Sequence, residues 1–220
     1  MTTSKSSTAI AIFVKTPSLS PIKTRLAKTI GQVAAESAYR LCVKATKETV
    51  IRVAADSYFA VAEQGGLRDP LWHGLECIHT GRGCLGQRQH HIYQRLLHRY
   101  QQVILIGSDS PQLTVDRLQQ AIEALKSEQF AVGPARDGGY YLFAGRRPLS
   151  QEFWTNLIYS RADTCDSLLA ALPAKAALLA PLTDLDTVDD VPQLHHELTA
   201  LGTALTPQQR AVISWIDNRG

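Results

Sequence analysis

The chain has 220 residues, 45% hydrophobic and 20% charged, with 14 Gly, 10 Pro and 7% aromatic residues, close to the balance of an ordinary globular protein. Those proportions exclude disorder, a collagen-like chain and a small disulfide scaffold, and at this length favour one domain with a sizeable core over two small ones. The net charge of +3 makes the chain slightly basic without being polycationic, so isolated phosphates are permitted as ligands while nucleic acid is not implied.

Cys42, Cys77, Cys84 and Cys165 form no Cys-x-x-Cys pair and have no His at metal-finger spacing. Reduced thiols in a cytoplasmic protein are therefore expected, not a zinc module or a disulfide framework. Residues 1–8 are polar and are expected to be disordered or flexible. The apolar run at 9–14 is too short for a signal-peptide core or a membrane span and reads as a strand buried on both faces.

A polar loop bearing Pro17 and Pro21 leads into helical spacing from about Arg25 and more clearly over 33–53, with Gly31 placed to break the helix in two. Residues 57–62 and, more weakly, 75–80 read as strands, followed by a Gly-rich turn at 81–86 and a helix over 85–100. Residues 103–106 form the clearest buried strand, and Thr114 is placed to cap a helix reaching about Lys126. Strands at 130–132 and 140–144 flank a Gly-rich segment, a helix covers 163–172, and a strand lies near 176–179. Two helices starting near Asp189 and Pro207 complete the chain. This alternation predicts an α/β fold, a mainly parallel sheet with helices on both faces, in a single domain over 1–220 whose segment 189–220 holds C-terminal helices. In such sheets ligands bind where loops leave the carboxyl ends of strands, so the chemistry is sought there.

Lys15, Lys23 and Arg25 crowd the first strand-to-helix loop, where cations and unpaired backbone N–H groups suit a phosphate; the alternative is a solvated basic loop. Asp109 follows the most apolar strand and is placed either to hold Mg²⁺ beside a nucleotide's phosphates or to make an Asx turn before Pro111. Gly138 and Gly139 beside Asp137 allow close backbone approach to a ligand, although read alone this segment is a hairpin turn. The segment Asp184-Leu185-Asp186-Thr187-Val188-Asp189-Asp190 holds four carboxylates. Asp189 or Asp190 suits a helix N-terminus, which leaves Asp184 and Asp186 for a metal. Gly81-Arg82-Gly83-Cys84-Leu85-Gly86 matches Gly-x-Gly-x-x-Gly, and Asp109 lies 23 positions beyond Gly86, near the dinucleotide fingerprint. The weak preceding strand ranks that reading second. The adjacent pairs His90-His91 and His195-His196 point about 100° apart on a helix and make no chelate, and no Gly-x-Ser-x-Gly elbow is present.

Phe13-Val14-Lys15-Thr16-Pro17, Lys23-Thr24-Arg25-Leu26, Gly107-Ser108-Asp109-Ser110-Pro111, the segment from Gly133 to Leu142 and Asp184-Leu185-Asp186-Thr187 stand in order at predicted strand ends. Together they resemble the motifs of the DUF2064 group, related to the GT-A (nucleotide-diphospho-sugar transferase) superfamily, over about residues 9–194. The resemblance implies a Rossmann-like GT-A fold that binds a nucleotide at the carboxyl edge of its sheet. It also implies Asp109 and Asp186 as ligands of Mg²⁺ or Mn²⁺, and Lys15, Lys23 and Arg25 as phosphate partners. Asp137, Gly138, Gly139 and Tyr140 fall on the acceptor or sugar side, with Lys23, Arg25 and Asp137 in catalytic roles. The chain departs from the family where Ser20 and Cys84 stand in place of Gly and Asp.

The leading expectation is a metal-dependent glycosyl- or nucleotidyltransferase that uses a nucleoside triphosphate or nucleotide sugar and a small-molecule acceptor, with neither a nucleic-acid partner nor a membrane span. Two alternatives stand beside it. An NAD(P)-dependent oxidoreductase would bind its dinucleotide at 81–86 without metal. A catalytically weakened nucleotide-binding protein is suggested by Ser20 and Cys84.

Overall fold

In the computed structural model, which describes residues 6–219, the first apolar run forms β1 (Thr8–Val14) at the middle of a seven-stranded sheet. Its neighbours are β2 (Asp56–Val61) and β4 (Gln102–Ile106), both parallel to it, and β3 (Glu76–His79) forms the edge beyond β2. On the other side come β6 (Tyr140–Gly145), antiparallel to β4, then β5 (Phe130–Pro134) and β7 (Ala176–Leu178), giving the order β3-β2-β1-β4-β6-β5-β7. One reversed strand in an otherwise parallel sheet agrees with the predicted mainly parallel architecture.

Alternation along β1 divides the core. Ile10, Ile12 and Val14 pack with Tyr39 and Val43 of α2 (Gln32–Val50) and Leu118 and Leu125 of α4 (Val115–Ser127). Ala9 and Ala11 face Ile92, Tyr93 and Leu96 of α3 (Leu85–Leu97), together with Trp154 of α5 (Gln151–Thr155) and Leu168 of α6 (Thr164–Ala171). A central strand covered on both sides must be apolar at both parities, which is why its sequence is an unbroken apolar run. A third cluster joins Leu26 of α1 (Thr24–Ile30) and Cys42 of α2 to Leu194 and Leu198 of α7 (Val191–Thr199) and Val212 of α8 (Pro207–Asp217).

Most boundaries fall within two or three residues of the sequence reading. Gly31 adopts φ 82, a left-handed conformation that costs a glycine little, and separates α1 from α2 as expected. Thr114 caps α4 by accepting from Arg117 N at 3.2 Å. Of the segment 1–8 expected to be disordered or flexible, residues 1–5 lie outside the described residues, and Thr8 is instead the first residue of β1. Ser6 donates to Ala54 O at 3.1 Å, and buried Thr8 opens β1 with its hydroxyl on Gln102 Oε1 at 3.1 Å. Thr8 thus pairs with Gln102 in the sheet, and Ser6 is tied to the segment before β2. The helix expected to reach residue 100 stops at Leu97, and α5 had no periodicity to announce it because it spans only five residues. Among the described residues no helix is long and apolar enough to cross a membrane.

The carboxyl edge of the sheet is braced from α7. Glu197, 12% exposed, accepts from Gln112 Nε2 (2.8 Å), Arg136 Nε (2.8 Å), Thr183 N (3.1 Å), Thr183 Oγ1 (3.0 Å) and Gln193 Nε2 (2.9 Å). Burial pushes its carboxyl up, but hydrogen bonds from Gln193, Arg136, Thr183 and Gln112 outweigh this and hold it below the ordinary glutamate value. Its contribution to stability is therefore present above the unfolded-state pKa and is lost as pH falls through the depressed folded value. Glu197→Ala strands buried donors and is expected to cost about 2–4 kcal/mol. In urea unfolding, the deficit of Glu197→Gln relative to wild type should be clear at pH 7 and shrink as pH falls below about 4.

Candidate active site

Helix dipoles and strand-end loops converge where β1, β2, β3 and β4 end, and a cleft of about 310 Å³ opens there. Val14, Ala62, Thr80 and Asp109, one from each strand end, contribute to its walls. The chain passes from β1 to β3 on one side and returns to β4 on the other, so the cleft sits at the switch point of the sheet.

The loop after β1 is held by its backbone. Lys15 N donates to Tyr39 Oη at 2.8 Å, and Tyr39 Oη donates to Lys15 O at 2.8 Å. Glu63, just past β2, accepts from Thr16 N at 2.7 Å and from the Ser20 hydroxyl. The loop then reaches Lys23 at φ 47, ψ 41, a left-handed conformation unusual for a non-glycine residue. There the side chain is only 3% exposed, and its Nζ stands 2.7 Å from Asp109 Oδ1 and 3.2 Å from Asp186 Oδ1.

Residues distant in sequence meet because two loops are joined. Leu185 N donates to Asp109 O at 2.9 Å, the Ser110 hydroxyl bonds to Asp184, and Leu185 is fully buried. Asp109 and Asp186 are thereby set on either side of one ammonium. Arg25, 58% exposed, lies 3.6 Å from Asp186 Oδ2. Burial alone lowers the pKa of Lys23, but the charges of Asp109 and Asp186 outweigh that and raise it above the ordinary lysine value, so the group stays cationic. Burial, opposed by the Ser110 hydrogen bond and reinforced by Asp109, pushes Asp184 up to about 7. Of the two carboxylates left open for a metal, Asp184 is thus turned into the loop contact with Ser110, and Asp186 is the one that lines the cleft. Asp190 Oδ2 accepts from Asp186 N (2.9 Å) and Thr187 N (2.6 Å), the helix-start role anticipated for it.

Lys15, Lys23, Arg25, Asp109 and Asp186 share the cleft lining. Asp137, Gly138, Gly139 and Tyr140 lie outside it on the β5–β6 connection. Asp137 Oδ1 accepts from Gly139 N at 2.9 Å, and Gly138 stands at φ 91 against Ala162, where a side chain would collide with backbone. Tyr140 Oη bonds to Gln89 Oε1 at 2.8 Å. This connection borders the acidic loop, since Arg136 N donates to Leu182 O at 2.9 Å and the Asp137 charge reaches Asp184. Tyr39, Glu63 and Arg88 were not anticipated; Glu63 follows a strand end, but Tyr39 and Arg88 sit within helices with no local signal.

Asp109 Oδ1 is buried and makes no hydrogen bond among the described residues, its close partner being the Lys23 ammonium. Asp109 and Asp186 are 38% and 31% exposed toward the cleft. An all-oxygen donor pair of this kind fits Mg²⁺ or Mn²⁺ when phosphate oxygens and water complete the shell. The described residues alone supply no group of three or more His, Cys, Asp or Glu.

The dinucleotide reading of 81–86 fails on topology. β3 is a four-residue edge strand, and Asp109 follows β4, separated from β3 by both β2 and β1, so the acid is not on the adjacent strand as the fingerprint requires. Gly86 packs against the Trp154 carbonyl, and Cys84 caps α3 while Gln87 Oε1 accepts from its N–H at 2.9 Å. These residues serve the turn and the helix.

A family described as uncharacterized protein conserved in bacteria (DUF2064) matches residues 37–161. A candidate nucleotide-diphospho-sugar transferase from Desulfovibrio desulfuricans G20 has 26% sequence identity and a TM-score of 0.83, covering 97% of this chain and 98% of that one. CMP:2-keto-3-deoxy-manno-octonic acid synthetase complexed with CTP shares the fold at 14% identity and a TM-score of 0.50, over 90% of this chain and 98% of that one. So does Rv0371C from Mycobacterium tuberculosis H37Rv in complex with manganese, at 15% identity and a TM-score of 0.50, over 85% and 96%. No curated protein matches the chain. The fold is the Rossmann-like α/β sheet of the nucleotide-diphospho-sugar transferases, and nothing supports the oxidoreductase alternative.

Replacing Lys23 with Met leaves two facing carboxylates without their shared cation. Because both are about one-third exposed, solvent reduces the penalty, and the expected loss is about 1–3 kcal/mol. Thermal melts of Lys23→Met should show that loss without divalent metal and partial recovery with MgCl₂.

Proposed function

The chain belongs to the DUF2064 family, and from that membership and the geometry of its cleft we propose that it is a metal-dependent transferase acting on a nucleoside triphosphate or nucleotide-diphospho-sugar. The observation that carries this reading is the convergence of Lys23, Asp109 and Asp186 at the switch point of the sheet, with Lys15 and Arg25 on the same cleft. The fold relation to a nucleotide-diphospho-sugar transferase and to a synthetase that binds CTP supports the substrate class, and the manganese complex of a fold relative supports the metal.

In this reading Asp109 and Asp186 hold Mg²⁺ or Mn²⁺. When bound, the metal polarises the phosphoryl oxygens and offsets their charge. Lys23 and Arg25 stabilise the negative charge that accumulates on the leaving phosphate, and exposed Lys15 adds to the attraction of the nucleotide. The pinned loop keeps these donors in place before substrate arrives, so little reorganisation accompanies reaction. Transfer by positioning and electrostatics requires no nucleophilic side chain. Asp137, with the backbone of Gly138 and Gly139 and with Tyr140, occupies the acceptor side, where the Asp137 carboxylate accepts a hydrogen bond from the attacking hydroxyl.

The Ser20 and Cys84 departures are compatible with activity. The Ser20 hydroxyl joins the Glu63 clamp, and Cys84 retains the capping place at the start of α3.

Differential scanning fluorimetry with a panel of nucleoside triphosphates and nucleotide sugars, with and without Mg²⁺ or Mn²⁺, tests the reading. Stabilisation of wild type should require nucleotide and metal together, and Asp109→Ala should lose the metal-dependent part. Stabilisation by NAD alone, or an unchanged metal-dependent response in Asp109→Ala, contradicts it. Arg25→Ala should weaken nucleotide binding by about tenfold in calorimetry, the usual scale for one charge-assisted hydrogen bond.

A further inference from the structure

Arg88 lies on the same cleft, yet its place differs from that of the phosphate cations. It stands on α3 behind the ends of β2 and β3, where Nε donates to Gly83 O at 3.0 Å and Nη1 to Ala62 O at 3.4 Å. Among the described residues it forms no ion pair with a carboxylate, whereas Lys23 and Arg25 both do. Two carbonyls therefore fix the guanidinium while its outer edge keeps N–H groups to spare. Neighbouring strands are about 4.8 Å apart, so the end of β2, where Arg88 is anchored, stands roughly 10 Å from the end of β4, where Asp109 begins the metal-phosphate cluster. That separation is of the order of the distance from the phosphates to the base within one nucleotide.

A second observation concerns Leu85, one helical turn before Arg88. It is 44% exposed and lines the cleft, so an apolar side chain is left open beside a fixed planar cation. This combination offers a flat base an apolar surface for its face and donors for its edge. Adenine presents an amino donor beside N7, which a donor-only group does not satisfy, whereas guanine presents O6 and N7, and unpaired cytosine O2 and N3, as adjacent acceptors matching the guanidinium fork.

We propose that Arg88 reads the nucleobase and that the nucleotide used at this site carries a base with two adjacent acceptors, guanine or cytosine and not adenine, with Leu85 packing against the ring. The inference rests on the transferase reading above and adds the identity of the base to it.

Isothermal titration calorimetry with GTP, ATP, CTP and inorganic tripolyphosphate, each with Mg²⁺, separates the two. Wild type should bind either GTP or CTP about tenfold or more tighter than ATP, the discrimination of one good bidentate contact, and the tighter of the two names the base. Arg88→Gln, whose amide pairs with adenine's N6 and N7, should lose the preference over ATP while binding tripolyphosphate as wild type does. Arg88→Lys, which keeps a donor for the Gly83 carbonyl, should fold normally and also lose the preference, because its ammonium has no fork. Affinity for ATP equal to that for both GTP and CTP in wild type, or a preference over ATP that survives in Arg88→Lys, overturns the base assignment, while tripolyphosphate binding leaves the transferase reading intact. A drop in tripolyphosphate affinity in Arg88→Gln makes Arg88 a phosphate ligand and overturns the proposal. Failure of every ligand, tripolyphosphate included, overturns both readings.

Discussion

One buried ammonium organises the carboxyl edge of this sheet. Lys23 contributes a positive charge that is almost completely removed from water, and such a charge is tolerated only where opposite charge meets it closely. Asp109 and Asp186 meet it from loops that follow β4 and precede α7. The left-handed backbone at Lys23 is part of the same constraint, because it lets the side chain turn inward at the start of α1. The strain of that conformation is offset by the two ion pairs it permits.

The surrounding bonds make sense as supports for this arrangement. Tyr39 and Glu63 hold the loop that presents Lys23, each through backbone or hydroxyl partners of that loop. On the opposite side, Leu185 and Ser110 join the Asp109 loop to the acidic loop, and Glu197 fixes Thr183 at the base of that loop. The supports come from α2, the end of β2 and α7. The end of β2 and one face of α2 pack in one hydrophobic cluster, and α7 packs with the other face of α2 in a second, so the position of the charged groups follows from two cores joined through α2.

The sequence carried the fold far and the site in part, and the division has physical causes. Both faces of β1 and β4 are covered, so they are unbroken apolar runs and easy to find. Gly31 and Thr114 mark helix boundaries through local backbone chemistry, which a sequence displays directly. The strand-end rule led to Asp109, and the cation-rich loop led to Lys23 and Arg25. What stayed hidden were contacts between distant segments. Nothing local to Tyr39 says that its hydroxyl will hold Lys15, and nothing in the Asp-rich stretch distinguishes Asp184 from Asp186 until Ser110 and burial act on one of them. The Gly-x-Gly-x-x-Gly turn misled for the complementary reason. Its spacing satisfied the motif, but the strand order that gives the motif meaning is a property of the whole sheet.

Charge balance at the cleft links this geometry to the kind of ligand it accepts. Lys23 and Arg25 supply two positive charges, and Asp109 and Asp186 supply two negative ones. Asp184, pushed up to about 7, adds little further charge in weakly acidic solution. A divalent cation arriving alone is attracted by the carboxylates but repelled by Lys23, which already occupies their near oxygens. A nucleotide arriving alone meets the reverse conflict, drawn by the cations and repelled by the two carboxylates. In the proposed reading the pair arriving together resolves both, because the metal would face the aspartates while the phosphates would face Lys23, Arg25 and Lys15. An alternating arrangement of fixed charges thus favours a metal–phosphate complex over either component. This property depends on keeping Lys23 charged and buried beside its two partners, not on the small net charge of the chain.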